Sequence, residues 1–133
     1  MRSEVHTYDT TASPILDIGT DVQQFLAGAG EGMLNVFVPH ATAGLAIMET
    51  GSGSESDLQA TLDRLLPRDD RWTHRHGSLG HGADHLLPAF ISPSVSIPVV
   101  NGHMQLGTWQ SIVLVDLNRD NPQRKVRFSL LEG

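Results

Sequence analysis

The stretch from Ser94 to Gly102, which reads SVSIPVVNG, decides the fold class of this 133-residue chain. Polar and β-branched residues alternate as far as Val100, which is typical of a strand with one buried face. Pro98 places this strand at a sheet edge or at a bulge, because proline cannot donate a ladder hydrogen bond. Asn101-Gly102 is the sequence of a two-residue hairpin turn. The segment therefore predicts antiparallel pairing.

Strand and helix patterns extend from this hairpin in both directions. Strands are predicted over residues 5–10, 33–38, 44–48, 104–106, 110–116 and 125–130. One helix is predicted through Val22 and Phe25, and a second carries the apolar stripe Leu58, Leu62, Leu65 and Leu66. The sequence therefore predicts an α+β domain with mostly antiparallel β-sheets and two main helices.

The composition restricts the class of protein. A chain of 133 residues is expected to form one domain, residues 1–133, with its own hydrophobic core. The formal net charge of −6 argues against a nucleic-acid partner, because phosphate binding needs a basic face. The one basic cluster, Arg124, Lys125 and Arg127, alternates with apolar residues and is predicted to be the solvent side of a strand.

Other absences bear on location. No apolar run approaches the ~20 residues that span a bilayer, so no membrane partner is expected. The polar first nine residues have no signal-peptide core. The chain has no cysteine, which excludes disulfides and thiolate chemistry. Together these features favour a cytoplasmic protein.

The segment from His74 to His85, HRHGSLGHGADH, holds four of the seven histidines. His81 and His85 are four residues apart, a spacing that suits a metal chelate in a helix or a tight turn. Glycines on both sides allow His76 to approach them. Three imidazoles with a carboxylate or water form a common site for zinc and related metals, so His76, His81 and His85 are predicted metal ligands. The alternative is a mobile surface loop with incidental histidines.

Two further candidates follow predicted strands. His40 is placed to act as a general base or a ligand, or else as a hydrogen-bonded structural histidine. Glu49 ends an apolar strand and precedes a Gly/Ser loop and a helix start, which could hold an anion through Ser54 with Asp57 nearby. A plain N-cap at Ser54 or Ser56 explains much of the same sequence.

The turn Gly107-Thr108-Trp109-Gln110 lies between two predicted strands. Thr108 and Gln110 offer a hydroxyl and an amide, and Trp109 offers a flat apolar surface for a ring. This combination suits the wall of a pocket, although a tryptophan in a β protein is usually part of the core.

In combination, these motifs are similar to those of a known family. PHATAGL at 39–45, Glu49, ADH at 83–85 and LGTWQ at 106–110 resemble the YjbQ-type family, called secondary thiamine-phosphate synthases. The resemblance covers nearly the whole chain and implies a small α+β fold that assembles as a homotrimer. It also implies a pocket lined by His40, Glu49, His76, His85, Thr108, Trp109 and Gln110.

Three functions are consistent with these residues. The resemblance implies a transferase that joins a pyrimidine methyl diphosphate to a thiazole phosphate and releases pyrophosphate, with Mg²⁺ at the leaving group. The residues assigned to catalysis are then His40, Glu49, His76 and Gln110, and those assigned to the small phosphorylated substrate are Ser54, Asp57, Thr108 and Trp109.

The residue types themselves fit a second function better. A zinc-like metal held by imidazoles would activate water in a hydrolase or lyase, with His40 or Glu49 moving protons. The third possibility is a trimer that binds a ligand or a metal without catalysis.

Overall fold

The computed structural model describes the whole chain, from Met1 to Gly133. It contains eight strands and three helices. In chain order these are β1 (Arg2–Asp9), β2 (Ile15–Asp17), α1 (Gly19–Phe25), β3 (Gly32–Phe37), β4 (Gly44–Met48), α2 (Ser54–Leu65), α3 (His81–Phe90), β5 (Ser94–Val100), β6 (His103–Met104), β7 (Ser111–Val115) and β8 (Gln123–Glu132).

Five strands form one antiparallel sheet in the order β1-β8-β3-β5-β6. Alternating residues of β8 and β3 face inward, and Val126, Phe128, Leu34 and Val36 are fully buried there. Residues such as Met33 on the opposite face are exposed. This alternation appears in the sequence of β8 as a period-two pattern, whereas β3 was predicted from a compact apolar run.

The other three strands form a second antiparallel sheet in the order β2-β7-β4. Its central strand β7 is buried on both faces. Ile112 and Leu114 pack into the core shared with the larger sheet, whereas Val113 and Val115 pack against α2 and α3. The large sheet, the small sheet and the pair α2 and α3 therefore form three layers, and the small sheet supports the helix that carries the histidines.

The predicted α+β class with mostly antiparallel sheets is confirmed, and several boundaries differ. The number of helices was underestimated, because α3 had no clear signal in a segment with Gly82 at its start and Pro88 inside it. The three-residue strand β2 is too short to carry a pattern. The Pro98 carbonyl accepts a bond from the Gln105 amide. The nitrogen of Pro98, which has no hydrogen to donate, therefore faces the side of β5 that only the two-residue strand β6 covers.

Two local predictions are wrong. Arg124 lies on the inner face of β8 and is 1% exposed, because its guanidinium forms two bonds, of 2.6 and 2.9 Å, with the Asp116 carboxylate. No serine side chain caps α2, since Gly53 occupies the N-cap position and Ser56 donates to the Gly53 carbonyl. None of the three helices has the length and apolarity needed to cross a membrane.

Candidate metal centre

The first turn of α3 holds the centre of the site. Ala83 and Leu87 bury one side of this helix against β7, which fixes its rotation. His81 and His85 consequently project together from the helix start, with 2.9 Å between their Nε2 atoms. The i, i+4 spacing predicted from the sequence therefore does produce adjacent imidazoles.

The loop before α3 adds two more imidazoles. The ring centroid of His74 lies 4.0 Å from that of His76 and 4.1 Å from that of His85, and His76 lies 4.7 Å from His81. Each of the four residues offers one nitrogen, and these atoms all lie within 4.8 Å of one another. His74 was missed as a ligand candidate, although its place in the same short segment was a usable signal.

Two glycines allow this close approach. Gly77 has φ of +80°, and a Cβ there would lie 2.8 Å from the Asp120 carboxylate and 2.9 Å from the His81 ring. A Cβ at Gly82 would collide with the His74 carbonyl. Glycine is therefore required at both positions for the loop to lie against the helix.

Hydrogen bonds and an ion pair connect the cluster to neighbouring loops. The Asp120 carboxylate lies 2.7 Å from His81 Nδ1 and accepts a 3.2 Å bond from the Ser78 amide. Asp84, which is 2% exposed, accepts a 2.9 Å bond from the Asn118 side chain and pairs with Arg68. The cluster is therefore connected to the loop that follows β7.

The electrostatic environment keeps two of the imidazoles neutral. Loss of hydration lowers the pKa of His85, and the neighbouring histidines lower it further against the opposing effect of Asp84. The pKa of His74 is lowered by the same two causes. The Ser78 amide, with His81, lowers the pKa of Asp120, which is therefore a carboxylate at neutral pH. Neutral imidazole is the form that binds metals.

The donor set determines which metals fit. Four imidazole nitrogens with no carboxylate among them suit zinc, nickel, copper or iron, whereas Mg²⁺ prefers oxygen ligands. Tetrahedral ligands at the usual zinc distance lie about 3.3 Å apart. The observed separations, 2.9 Å between the Nε2 atoms of His81 and His85 and at most 4.8 Å across the set, lie on either side of that spacing.

His40 lies outside this cluster. Its Nε2 accepts a 2.9 Å bond from the backbone N–H of Lys125. Burial is the main cause that lowers its pKa, and the charges of Arg124 and Lys125 lower it further, against Asp116. The contact matches the hydrogen-bonded structural histidine that the sequence left open as an alternative.

The other candidate residues gather at the far end of β7. Met48 pairs with Ser111, so Glu49 and Gln110 are the first residues beyond this end of the ladder. Thr108 and Trp109 belong to the same turn, and Trp109 is 73% exposed. The cluster adjoins the opposite end of β7, and the strand alone separates the two ends by about 13 Å.

Ser54 and Asp57 lie in the first turn of α2, which starts at the Glu49 end of β7. Asp57 is exposed and Ser54 is half-buried. Thr50 links this region to the turn through a 3.3 Å bond to Ser111. Within one chain the structure therefore forms two groups, the histidines at one end and the predicted substrate-binding residues at the other.

A cavity of about 750 Å³ lies behind the histidine cluster. Its wall includes Arg68 and Asn118, which also contact Asp84. The imidazole Nε2 atoms of His81 and His85 approach each other on the side of the His81 ring opposite Nδ1 and Asn118. None of the four histidines lines the cavity, which adjoins the cluster through Arg68 and Asn118.

Comparison with known sequences identifies similar proteins. The family model for UPF0047 protein YjbQ-like matches residues 3–133. UPF0047 protein Rv2556c of Mycobacterium tuberculosis is 61% identical over 133 residues, which cover all of both chains. UPF0047 protein YugU of Bacillus subtilis is 29% identical over 130 residues, covering 93% of each chain.

Comparison with solved structures gives the same result. The hypothetical protein APE1520 from Aeropyrum pernix superposes with a TM-score of 0.88 at 31% identity and full coverage of both chains. A YjbQ/UPF0047 protein from Clostridium acetobutylicum, described as an orthologue of YugU, gives a TM-score of 0.81 at 27% identity, covering 98% of this chain and 100% of that chain.

Proposed function

This chain belongs to the UPF0047 YjbQ-like family, and on that premise we propose that it is a metal-dependent hydrolase or lyase acting on a small phosphorylated or carboxylated molecule. The observation that carries the proposal is the convergence of His74, His76, His81 and His85, whose ligand atoms lie within 4.8 Å of one another. Such a set suits a zinc-like divalent metal, which lowers the pKa of a bound water.

Three of the imidazoles suffice to hold the metal, which leaves the fourth for proton transfer. His74 is exposed and its pKa is lowered, so it is neutral at pH 7 and able to accept a proton. In a hydrolysis, the water oxygen bonds to the phosphorus or acyl carbon, the leaving group departs with the bonding electron pair, and the water proton passes to this imidazole.

We propose that the complete site is shared between subunits of a homotrimer. Within one chain Glu49 and Trp109 lie at the end of β7 away from the histidines. A neighbouring copy can bring these residues to the cluster, as the family resemblance implies. The absence of cysteine agrees with a cytoplasmic location, which we also propose.

Metal analysis tests the first proposal. Protein purified without an affinity tag is expected to hold zinc or nickel near one equivalent per chain, and its removal by a chelator should abolish hydrolysis of small phosphate and carboxylate esters. Restoration by zinc but not by Mg²⁺ supports the donor-set argument. Protein that neither holds nor takes up a transition metal would exclude this function.

A second candidate is the thiamine-phosphate synthase reaction. It is favoured by the exposed ring of Trp109 and by Glu49 and Asp57 at the same end of the molecule, because carboxylate oxygens suit Mg²⁺. The thiazole nitrogen would bond to the pyrimidine methylene carbon, and pyrophosphate would leave with the electron pair of the broken C–O bond.

The two candidates differ in a direct assay. Mg²⁺-dependent formation of thiamine phosphate by protein lacking a tightly bound metal favours the synthase. Trp109→Ala should then weaken binding of the ring substrate by roughly 1–3 kcal/mol, as for other aromatic anchors. Tight metal binding with no turnover in either assay would instead favour a trimer that binds metal without catalysis.

A further inference from the structure

We propose that Asp120 is a positioning residue that fixes the tautomer of His81, so that the lone pair of His81 Nε2 points to the metal. This inference rests on the proposed metal site. Asp120 contacts Nδ1 of His81, Asn118 accepts a bond from the backbone amide of Asp120, and Nε2 of His81 faces His85.

His81 Nδ1 has two polar neighbours, which compete. Asp120 Oδ2 lies 2.7 Å away and the Asn118 side-chain nitrogen lies 3.3 Å away. The Asn118 side-chain nitrogen can only donate, whereas the Asp120 carboxylate can only accept. The shorter, charge-assisted contact is the stronger, so Nδ1 carries the proton and donates it to Asp120.

The Asn118 side chain forms its shorter hydrogen bonds with groups other than His81, so it does not compete with Asp120 for Nδ1. Its nitrogen donates a 2.9 Å bond to the buried Asp84 carboxylate. Its oxygen accepts bonds of 3.0 and 3.1 Å from the backbone amides of Asp120 and Asn121. Asn118 therefore shapes the turn that presents Asp120 to the imidazole, and it is itself anchored to α3.

A second donor confirms that Asp120 acts as an acceptor. The Ser78 amide bonds to the same Oδ2 atom at 3.2 Å, next to Gly77, where any Cβ would come within 2.8 Å of that oxygen. With the proton on Nδ1, the Nε2 lone pair of His81 is free. It faces His85 Nε2 at 2.9 Å, where a metal would bind both atoms.

The arrangement is a carboxylate–histidine–metal relay of the type that typically contributes 10–100-fold to metal affinity. Asp120→Ala is therefore expected to weaken zinc binding by about that factor. Asp120→Asn should lose less, because an amide oxygen still accepts from Nδ1–H. Asp70→Asn is the matched control, since Asp70 is exposed and forms no hydrogen bond with the cluster.

Zinc affinity is measured by competition with a chromogenic chelator, and the visible spectrum of the Co²⁺ form reports ligand geometry. Nitrogen-15 shifts of the metal-free wild type give the tautomer directly, and a proton on Nε2 of His81 would overturn the inference. Equal zinc affinity of wild type and Asp120→Ala would also overturn it. Wild type that binds no zinc would instead refute the proposed metal site.

Discussion

A single hydrogen bond separates two kinds of histidine in this molecule. His85 directs Nε2 toward His81 and has no backbone partner for that atom, so it is available to a metal. His40 uses its Nε2 to accept from the Lys125 amide, so its lone pair is already occupied. At the scale of the residue, the partner of the imidazole nitrogen decides whether a histidine can be a ligand.

His85→Ala is expected to remove zinc binding while the domain stays folded. Alanine maintains the helix, but the cluster loses one imidazole from its centre, which should cost more than the 10–100-fold typical of an outer contact. Zinc competition and circular dichroism measure the two effects. His103→Ala is the control, because the imidazole of this exposed histidine bonds only to the Asn101 carbonyl. Unchanged zinc affinity in His85→Ala would contradict the assignment.

The lowered pKa of His40 predicts how the stability of the fold depends on pH. Its native pKa lies below the unfolded value, so at mildly acidic pH the unfolded chain binds the extra proton. The stabilisation from neutral His40 is therefore present above about pH 6.5, the unfolded value, and is lost as the pH falls toward the native pKa.

His40→Ala should accordingly reduce the slope of unfolding free energy against pH between about 5 and 7. At pH 7 it should cost about 0.5–1.5 kcal/mol for the lost hydrogen bond. Urea denaturation at several pH values measures both. A residual slope remains because His74 and His85 also have lowered pKa values. An unaltered slope would show that His40 titrates alike in both states.

At the scale of the element, α3 links the core to the site. Leu87 is 1% exposed and packs with Leu62, Val113 and Val115, whereas Leu86 on the same helix is 39% exposed. Leu87 therefore couples the position of the imidazoles to the small sheet.

Leu87→Ala is expected to destabilise the protein by about 2–4 kcal/mol, because it removes buried methyl groups and leaves a cavity. Leu86→Ala should cost within about 1 kcal/mol and serves as the control. Urea unfolding measures the difference. Because metal binding stabilises only the folded state, saturating zinc should restore part of the loss in Leu87→Ala. Equal costs for the two leucines would contradict the packing.

The secondary-structure elements differ in how well the sequence predicts them. Strands β4 and β5 were predicted at their observed bounds, β4 as a short apolar segment and β5 from the alternation of its residues. The helix α3 could not be predicted, since Gly82 and Pro88 are poor helix formers and the stability of this helix comes from tertiary packing. The histidine site follows from local spacing, but Asp120 comes from a distant loop and has no signal beside it.

In the molecule as a whole, strand β7 separates two groups of candidate residues. The histidines adjoin one end, and Glu49, Trp109 and Gln110 lie at the other. The open turn of Gly107–Gln110 is held in shape by a 2.7 Å bond from the Gly107 amide to the Gln110 side chain, although its tryptophan is exposed. Tryptophan is enriched at protein interfaces, so an ordered turn that presents this ring suits a surface that contacts another molecule.

The proposed homotrimer gives a prediction for Trp109. The chain has two tryptophans, and Trp72 lies against Gly82 beside the cluster, where a bound metal would also quench it. The substitution Trp72→Phe therefore leaves Trp109 as the only tryptophan that emits. In that variant one equivalent of Cu²⁺ should strongly quench the emission if a neighbouring chain brings Trp109 to the metal. Adding His85→Ala should abolish the quenching, and sedimentation should give three times the chain mass. Quenching requires the ring to lie close to the ion. If the protein is a trimer and Cu²⁺ leaves the Trp109 emission unchanged, the histidine cluster and the Trp109 turn belong to separate sites.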